Sequence, residues 1–204
     1  ALAVHASSDG AATPLHWVAT VVAVLEGLGA ESPYEITANA EGAEGAPEDV
    51  VARLRGLAHD AYVAAARACC ASLERVVVPT LLEGASAAAK TSDTAAPGAK
   101  HGQQQPQQQH KTAQIVAVLA EALRTCKAAR LPQALRRAFL AQLVHAVDAL
   151  VVDALLARQE FCTCATGFAL RMGLSSLEAW LQRDPDTVPA RRRLARAREA
   201  ANFF

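Results

Sequence analysis

The residues with the greatest chemical reach in this chain are two cysteines one position apart, in Cys162-Thr163-Cys164. A thiolate is both a nucleophile and a soft metal ligand. Nucleophilic catalysis needs a base within hydrogen-bond reach of the thiol. His145 is the best-placed imidazole in the sequence, but a helical segment and a turn separate it from Cys162. A structural zinc site needs four ligands, and no second C-x-C, C-x-x-C or H-x-x-x-H accompanies the first pair. The other histidines (His5, His16, His59, His101, His110) are scattered, and neither His59-Asp60 nor Glu41/Glu44 has catalytic spacing. Phosphate-binding loops of the G-x-x-x-x-G-K-[ST] and G-x-G-x-x-G types are absent, as is a G-x-S-x-G elbow. The expectation is a chain that is not an enzyme and has no catalytic, cofactor-binding or metal-binding residues.

The five cysteines (Cys69, Cys70, Cys126, Cys162, Cys164) are odd in number and irregular in spacing, which fits free buried thiols in a reducing compartment. Formal net charge is zero, which argues against general nucleic-acid binding. The strongest charge feature is Arg191-Arg192-Arg193 followed by Arg196 and Arg198. It reads either as a solvated helix face or as a contact for an acidic protein partner or anionic membrane surface. Arg171, Arg191, Arg192 and Arg193 are the candidate partner-binding residues. No secretory signal is visible, and no run approaches the roughly 18 to 20 uninterrupted apolar residues of a membrane span. The chain starts at Ala1 rather than Met and reads as a piece of a longer protein.

These residues must be positioned by helices. Hydrophobic residues are 52% of the chain but aromatics only 4%, so the core is built from Ala, Leu and Val. Ala and Leu are strong helix formers. Thr13-Pro14 is a cap and first-turn signal, and Leu15, Val18, Val22, Leu25 and Leu28 follow at helical spacing, closed by Gly27 and Gly29. Residues 29–46 read as an exposed loop. A helix of over thirty residues starts near Pro47 and is kinked or ended by Pro79. Residues 85–111, with a Gln-rich tract, read as a disordered loop. Loop closure grows only logarithmically with length, so such a loop fits as an insertion between two helices of one bundle as well as a divider of two domains; the former is preferred.

A third helix runs from about Thr112 to Cys126 and a fourth from Pro132 to about Ala157. The fourth places Gln133, Arg136, Arg137 and Asp148 on one side and is apolar over most of the rest, the pattern of a central helix. Gln142, His145 and Asp153 interrupt its apolar side and read as a polar site, a satisfied core contact or a partner seam. A turn is expected at Gly167 and Gly173. Ser175-Ser176-Leu177-Glu178 then has capping-box spacing for a short helix with Trp180 and Leu181. Asp184-Pro185-Asp186 breaks it, and a last helix runs from Pro189 through Leu194, Ala197 and Ala201 to Phe204. The fold class is all-α, an elongated bundle of about six helices with a disordered insertion, taken as one partial unit over residues 1–204.

Residues 155–181 read LLARQEFCTCATGFALRMGLSSLEAWL. Leu155, Leu156, Arg158, Cys162, Gly167, Arg171, Ser175, Leu177, Glu178 and Trp180 keep the spacing of a family signature, and this stretch resembles the dilute domain of the cargo-binding globular tails of class V and class XI myosins. Leu15-His16-Trp17 resembles that family's first tail helix. Ala61-Tyr62 through Val78-Pro79-Thr80-Leu81-Leu82-Glu83 resembles its long helix with a late proline. The likeness covers roughly residues 14–28 and 54–204. Asp153-Ala154 and Cys164 depart from the usual pattern, and the family's final helices are absent.

The resemblance implies an interaction module that binds protein adaptors or small GTPases on organelles for actin-based transport. It would be cytoplasmic, associated with actin or vesicle surfaces, and able to contact its own motor head, with no nucleic acid and no transmembrane segment. The alternative is a dilute-domain scaffold of the afadin or Ras-interacting type, in adhesion or small-GTPase signalling. Within the signature, Leu177 and Trp180 are expected to pack, Ser175 and Glu178 to cap, and Gly167 and Gly173 to turn.

Overall fold

A computed structural model describes residues 9–27, 48–83 and 105–203. Six α-helices and no strand occur among the described residues: α1 Asp9–Gly27, α2 Glu48–Val78, α3 Gln105–Ala128, α4 Gln133–Ala157, α5 Cys164–Leu181 and α6 Ala195–Phe203. A π-helical turn, Pro79–Glu83, continues α2, and 3-10 segments Gln159–Phe161 and Val188–Leu194 precede α5 and α6. This is the all-α bundle expected. The loop read over residues 29–46 and most of the insertion at 85–111 lie outside the described residues.

Several boundaries differ from the sequence reading. Pro14 is not the first residue of α1, which begins at Asp9. The ring sits just after the first turn, where it costs only the single bond to residue 10, a glycine, so the helix tolerates it. At the other proline the helix does yield. α2 ends at Val78, and the wider turn from Pro79 carries the chain on past the lost bond while burying Leu81 and Leu82. α3 starts at Gln105, seven residues before Thr112, inside the segment read as disordered. Pro106 suits an N-terminal turn and glutamine is a fair helix former, so the packed helix that follows extends backward into the polar tract.

α3 stops at a residue that carries no glycine signal. Arg130 has φ 57, and Leu131 N donates to Cys126 O while Arg130 N donates to Lys127 O. This is a Schellman turn built on a side-chain-bearing residue, followed by Pro132.

α4 is the centre. It packs against α2, α3, α6 and both 3-10 segments. Phe139, Leu140, Leu143, Val144, Val147 and Val151 are all at most 1% exposed. All but Leu140 join Leu15, Leu73, Val77, Ile115, Leu119, Leu170, Leu177 and Leu194 in one core. No run of 18 uninterrupted apolar residues occurs in α4, yet by length and mean composition the helix is long and apolar enough to cross a membrane. Here that character is used for burial between helices. A satellite cluster of Val21, Leu25 and Val51 joins α1 to the start of α2.

Candidate interaction surface

The C-terminal signature organises the bundle. α5 is one continuous helix, so Gly167 and Gly173 are not turns and Ser175 and Glu178 do not cap its start. The turn lies earlier, at residues 158–163, and Thr163 supplies the cap by accepting from Thr166 N at 3.2 Å. The capping-box spacing misled because it sits inside a longer apolar helix. Ser176 there donates to Met172 O at 3.0 Å, the back-bond of a mid-helix serine. Gly173 is needed for close approach: a Cβ would lie 2.5 Å from Leu81 Cδ2 of the π-turn. Leu155 and Leu177 are buried and Trp180 packs partly buried on the core, whereas Leu156 is exposed. Arg158 pairs with Glu83 at 3.1 Å and lies over the Phe161 ring, 5.3 Å from its centroid.

Three acids hold down the chain after α5. Asp148, 1% exposed, accepts from Arg196 Nε and Ala197 N, both at 2.8 Å. Asp186, 2% exposed, accepts from Arg136 Nε at 2.8 Å and Gln133 Nε2 at 3.1 Å. Burial raises the Asp186 pKa, but the bond from Arg136 and then that from Gln133 outweigh it, and the net shift is downward. Glu178 pairs with Arg191 and Arg198. The polar side of α4 (Gln133, Arg136, Arg137, Asp148) is therefore the seat of residues 184–197. Gln142, His145 and Asp153, which interrupted its apolar side in sequence, are exposed rather than core contacts. The two faces were exchanged because buried ion pairs look like solvent-facing residues in a sequence.

The candidate arginines divide. Arg191 is engaged by Glu178, whereas Arg171, Arg192 and Arg193 are exposed and make no ion pair among the described residues. Cys162 and Cys164 are exposed rather than buried. Cys162 Sγ faces Leu155 O at 3.6 Å. Cys69 and Cys126 are the buried thiols; burial is the main cause that raises them to about 11 and about 12. No group of three His, Cys, Asp or Glu residues gathers among the described residues.

A second feature was not singled out from the sequence. A trough of about 540 Å³ lies between α1, α2 and α4. Val18, Val22 and Leu25 of α1 form one wall. Arg55, His59, Tyr62, Val63 and Arg67 of α2 form another, and Leu135, Ala138 and Gln142 of α4 close it. Tyr62 Oη donates to Gln142 Oε1 at 3.1 Å, and its ring meets Phe139 edge-on at 5.5 Å. Burial and then Cys126 raise the Tyr62 hydroxyl to about 12, so it stays neutral. The available signal was the stripe Arg55, His59, Tyr62, Ala66, Cys70, one polar or small residue per turn on the face of α2 that would otherwise carry large aliphatics.

Residues 138–204 match the family model of the DIL domain. The match begins in α4 and takes in everything after it, the part of the chain that carries the dilute-like signature. It spans the last third of the chain, and the earlier helices lie outside it. No curated protein matches the chain. The DIL domain occurs in class V and XI myosin tails and in other adaptors, and marks a protein-interaction module.

Proposed function

We propose that this chain is the cargo-binding tail module of a class V/XI-like myosin, linking organelle or vesicle adaptors, or small GTPases, to actin-based transport. The observation that carries the proposal is the DIL-domain match over residues 138–204. The all-helical packing supports it, since rigid helices with apolar troughs and charged rims suit protein partners. The proposal assigns no chemical step to the chain. It places the module at the cytoplasmic face of vesicles or on actin.

The test is to express the fluorescently tagged 204-residue chain in cells of its source. A cargo tail without its motor decorates one class of organelle and, in excess, stalls that organelle's actin-dependent movement. Uniform distribution with movement unchanged would overturn the reading. Recruitment to cell junctions together with direct binding to a GTP-loaded Ras-type GTPase would replace it with the scaffold alternative.

A further inference from the structure

We propose that the trough between α1, α2 and α4 receives an amphipathic helix of a partner protein, with carboxylates along the edge of that helix's apolar face. The inference deepens the interaction-module reading and rests on it.

Length comes first. The α2 residues along the trough run from Arg55 to Cys70. At 1.5 Å per residue that edge is roughly 22 Å long, about four helical turns. A trough of that length is matched by an apolar stripe repeating at i, i+3, i+4 and i+7. It is walled by helices, and no strand occurs among the described residues to extend with a β-partner.

Charge decides the rest. Val18, Val22, Leu25, Val63 and Leu135 give the trough an apolar lining, and no carboxylate lines it among the described residues. Its formal charges are the guanidiniums of Arg55 and Arg67. The two acids in its wall stay neutral: burial and then Cys126 raise Tyr62, and burial and then Glu74 raise Cys70. Arg55 Nε is enclosed and has no acceptor among the described residues. A carboxylate from an incoming helix would supply that acceptor while its apolar side chains cover the lining. A cationic helix would meet the like charges of Arg55 and Arg67, which is unfavourable.

The probe is a pair of synthetic helical peptides of about 16 residues, with the same leucine stripe flanked in one by glutamates and in the other by lysines. Binding to the intact chain is read by fluorescence anisotropy. The glutamate peptide is expected to bind at least about tenfold more tightly than its lysine twin. Arg67→Glu, at an exposed position, should abolish or reverse that preference. Ala138→Glu, also exposed, should weaken the glutamate peptide by about tenfold with the helical circular dichroism unchanged. Equal affinity for the two peptides, or binding untouched by both substitutions, would overturn the inference.

The trough would instead be a lipid site if phosphatidylserine vesicles bind in an Ala138→Glu-sensitive way and the peptides do not. It would be a self-association surface if Ala138→Glu dissolves a dimer seen by sedimentation. Either outcome also overturns the helix assignment. Loss of peptide binding with organelle decoration intact removes this inference alone, whereas loss of both removes the functional reading too.

Discussion

Removing the Asp148 carboxylate should loosen the C-terminal helix from the rest of the bundle. The side chain is 1% exposed and serves two donors, the half-exposed Arg196 guanidinium and the buried Ala197 amide. In Asp148→Ala the Ala197 N–H loses its side-chain acceptor at the start of α6, and an unsatisfied buried donor costs about 1–3 kcal/mol. The lost bond to Arg196 adds less, about 0.5–1 kcal/mol, because that guanidinium recovers solvent. The sum is about 1.5–4 kcal/mol. For a domain of this size each kcal/mol moves Tm by about 2–4 °C, so the expected drop is roughly 3–16 °C by circular dichroism at 222 nm. Asp148→Asn keeps one carbonyl oxygen and should lose about half as much. Hydrogen exchange should rise first in residues 194–203, before α2 or α3. A Tm within about 1 °C of the parent for Asp148→Ala, or exchange rising evenly everywhere, would refute the assignment of this carboxylate as the anchor of α6.

Other expectations follow from single positions. Gly56→Ala should stabilise by up to about 1 kcal/mol, because the site lies inside α2 with nothing within 4 Å of a new Cβ. Gly173→Ala should show no such gain, because Leu81 must move to admit the methyl group; equal urea midpoint shifts would contradict this. Arg130→Gly should stabilise by about 1 kcal/mol by relieving the left-handed backbone at the end of α3, again read from the urea midpoint. Asp186 and Asp184 are both held below the usual carboxylate range, Asp184 chiefly by its bond from Lys127. Their contribution to stability is present above the unfolded carboxylate value of about 4 and is lost as pH falls through the lower folded values. Asp186→Asn should therefore flatten the acid limb of stability against pH below about 4, and an unchanged limb would count against the buried pair. A thiol reagent at neutral pH should modify Cys162 and Cys164 quickly and Cys69 and Cys126 only on unfolding, as mapped by peptide mass spectrometry.

The class of fold was legible because α2, α3 and α4 carry long, regular apolar periods, and α4 is apolar around enough of its circumference to demand a central place. What was not legible depended on partners distant in sequence. Asp148 and Asp186 look like surface residues until Arg196, Arg136 and the backbone of Ala197 are brought to them. Gly173 looks like a turn until Leu81 is placed against it, and Ser175 to Glu178 look like a helix start until α5 is seen to begin at Cys164. The charge density of the run 191–193 cannot tell Arg191, already occupied by Glu178, from Arg192 and Arg193. The trough escaped notice because three helices contribute to it and none shows a motif.

The central position of α4 also has a consequence for synthesis. Its cover comes from both sides in chain order: α2 and α3 are made before it, while α6 and the 3-10 segments at 159–161 and 188–194 are made after. While the ribosome is still reading residues 158–203, one flank of this long apolar helix is bare. Asp148 is then solvated and waiting for Arg196 and Ala197, about fifty residues later in the chain. The nascent protein thus passes through a stage with an adhesive stripe along a span-length helix. It is at that stage that a chaperone has the most to hold and a premature stop leaves the most to aggregate.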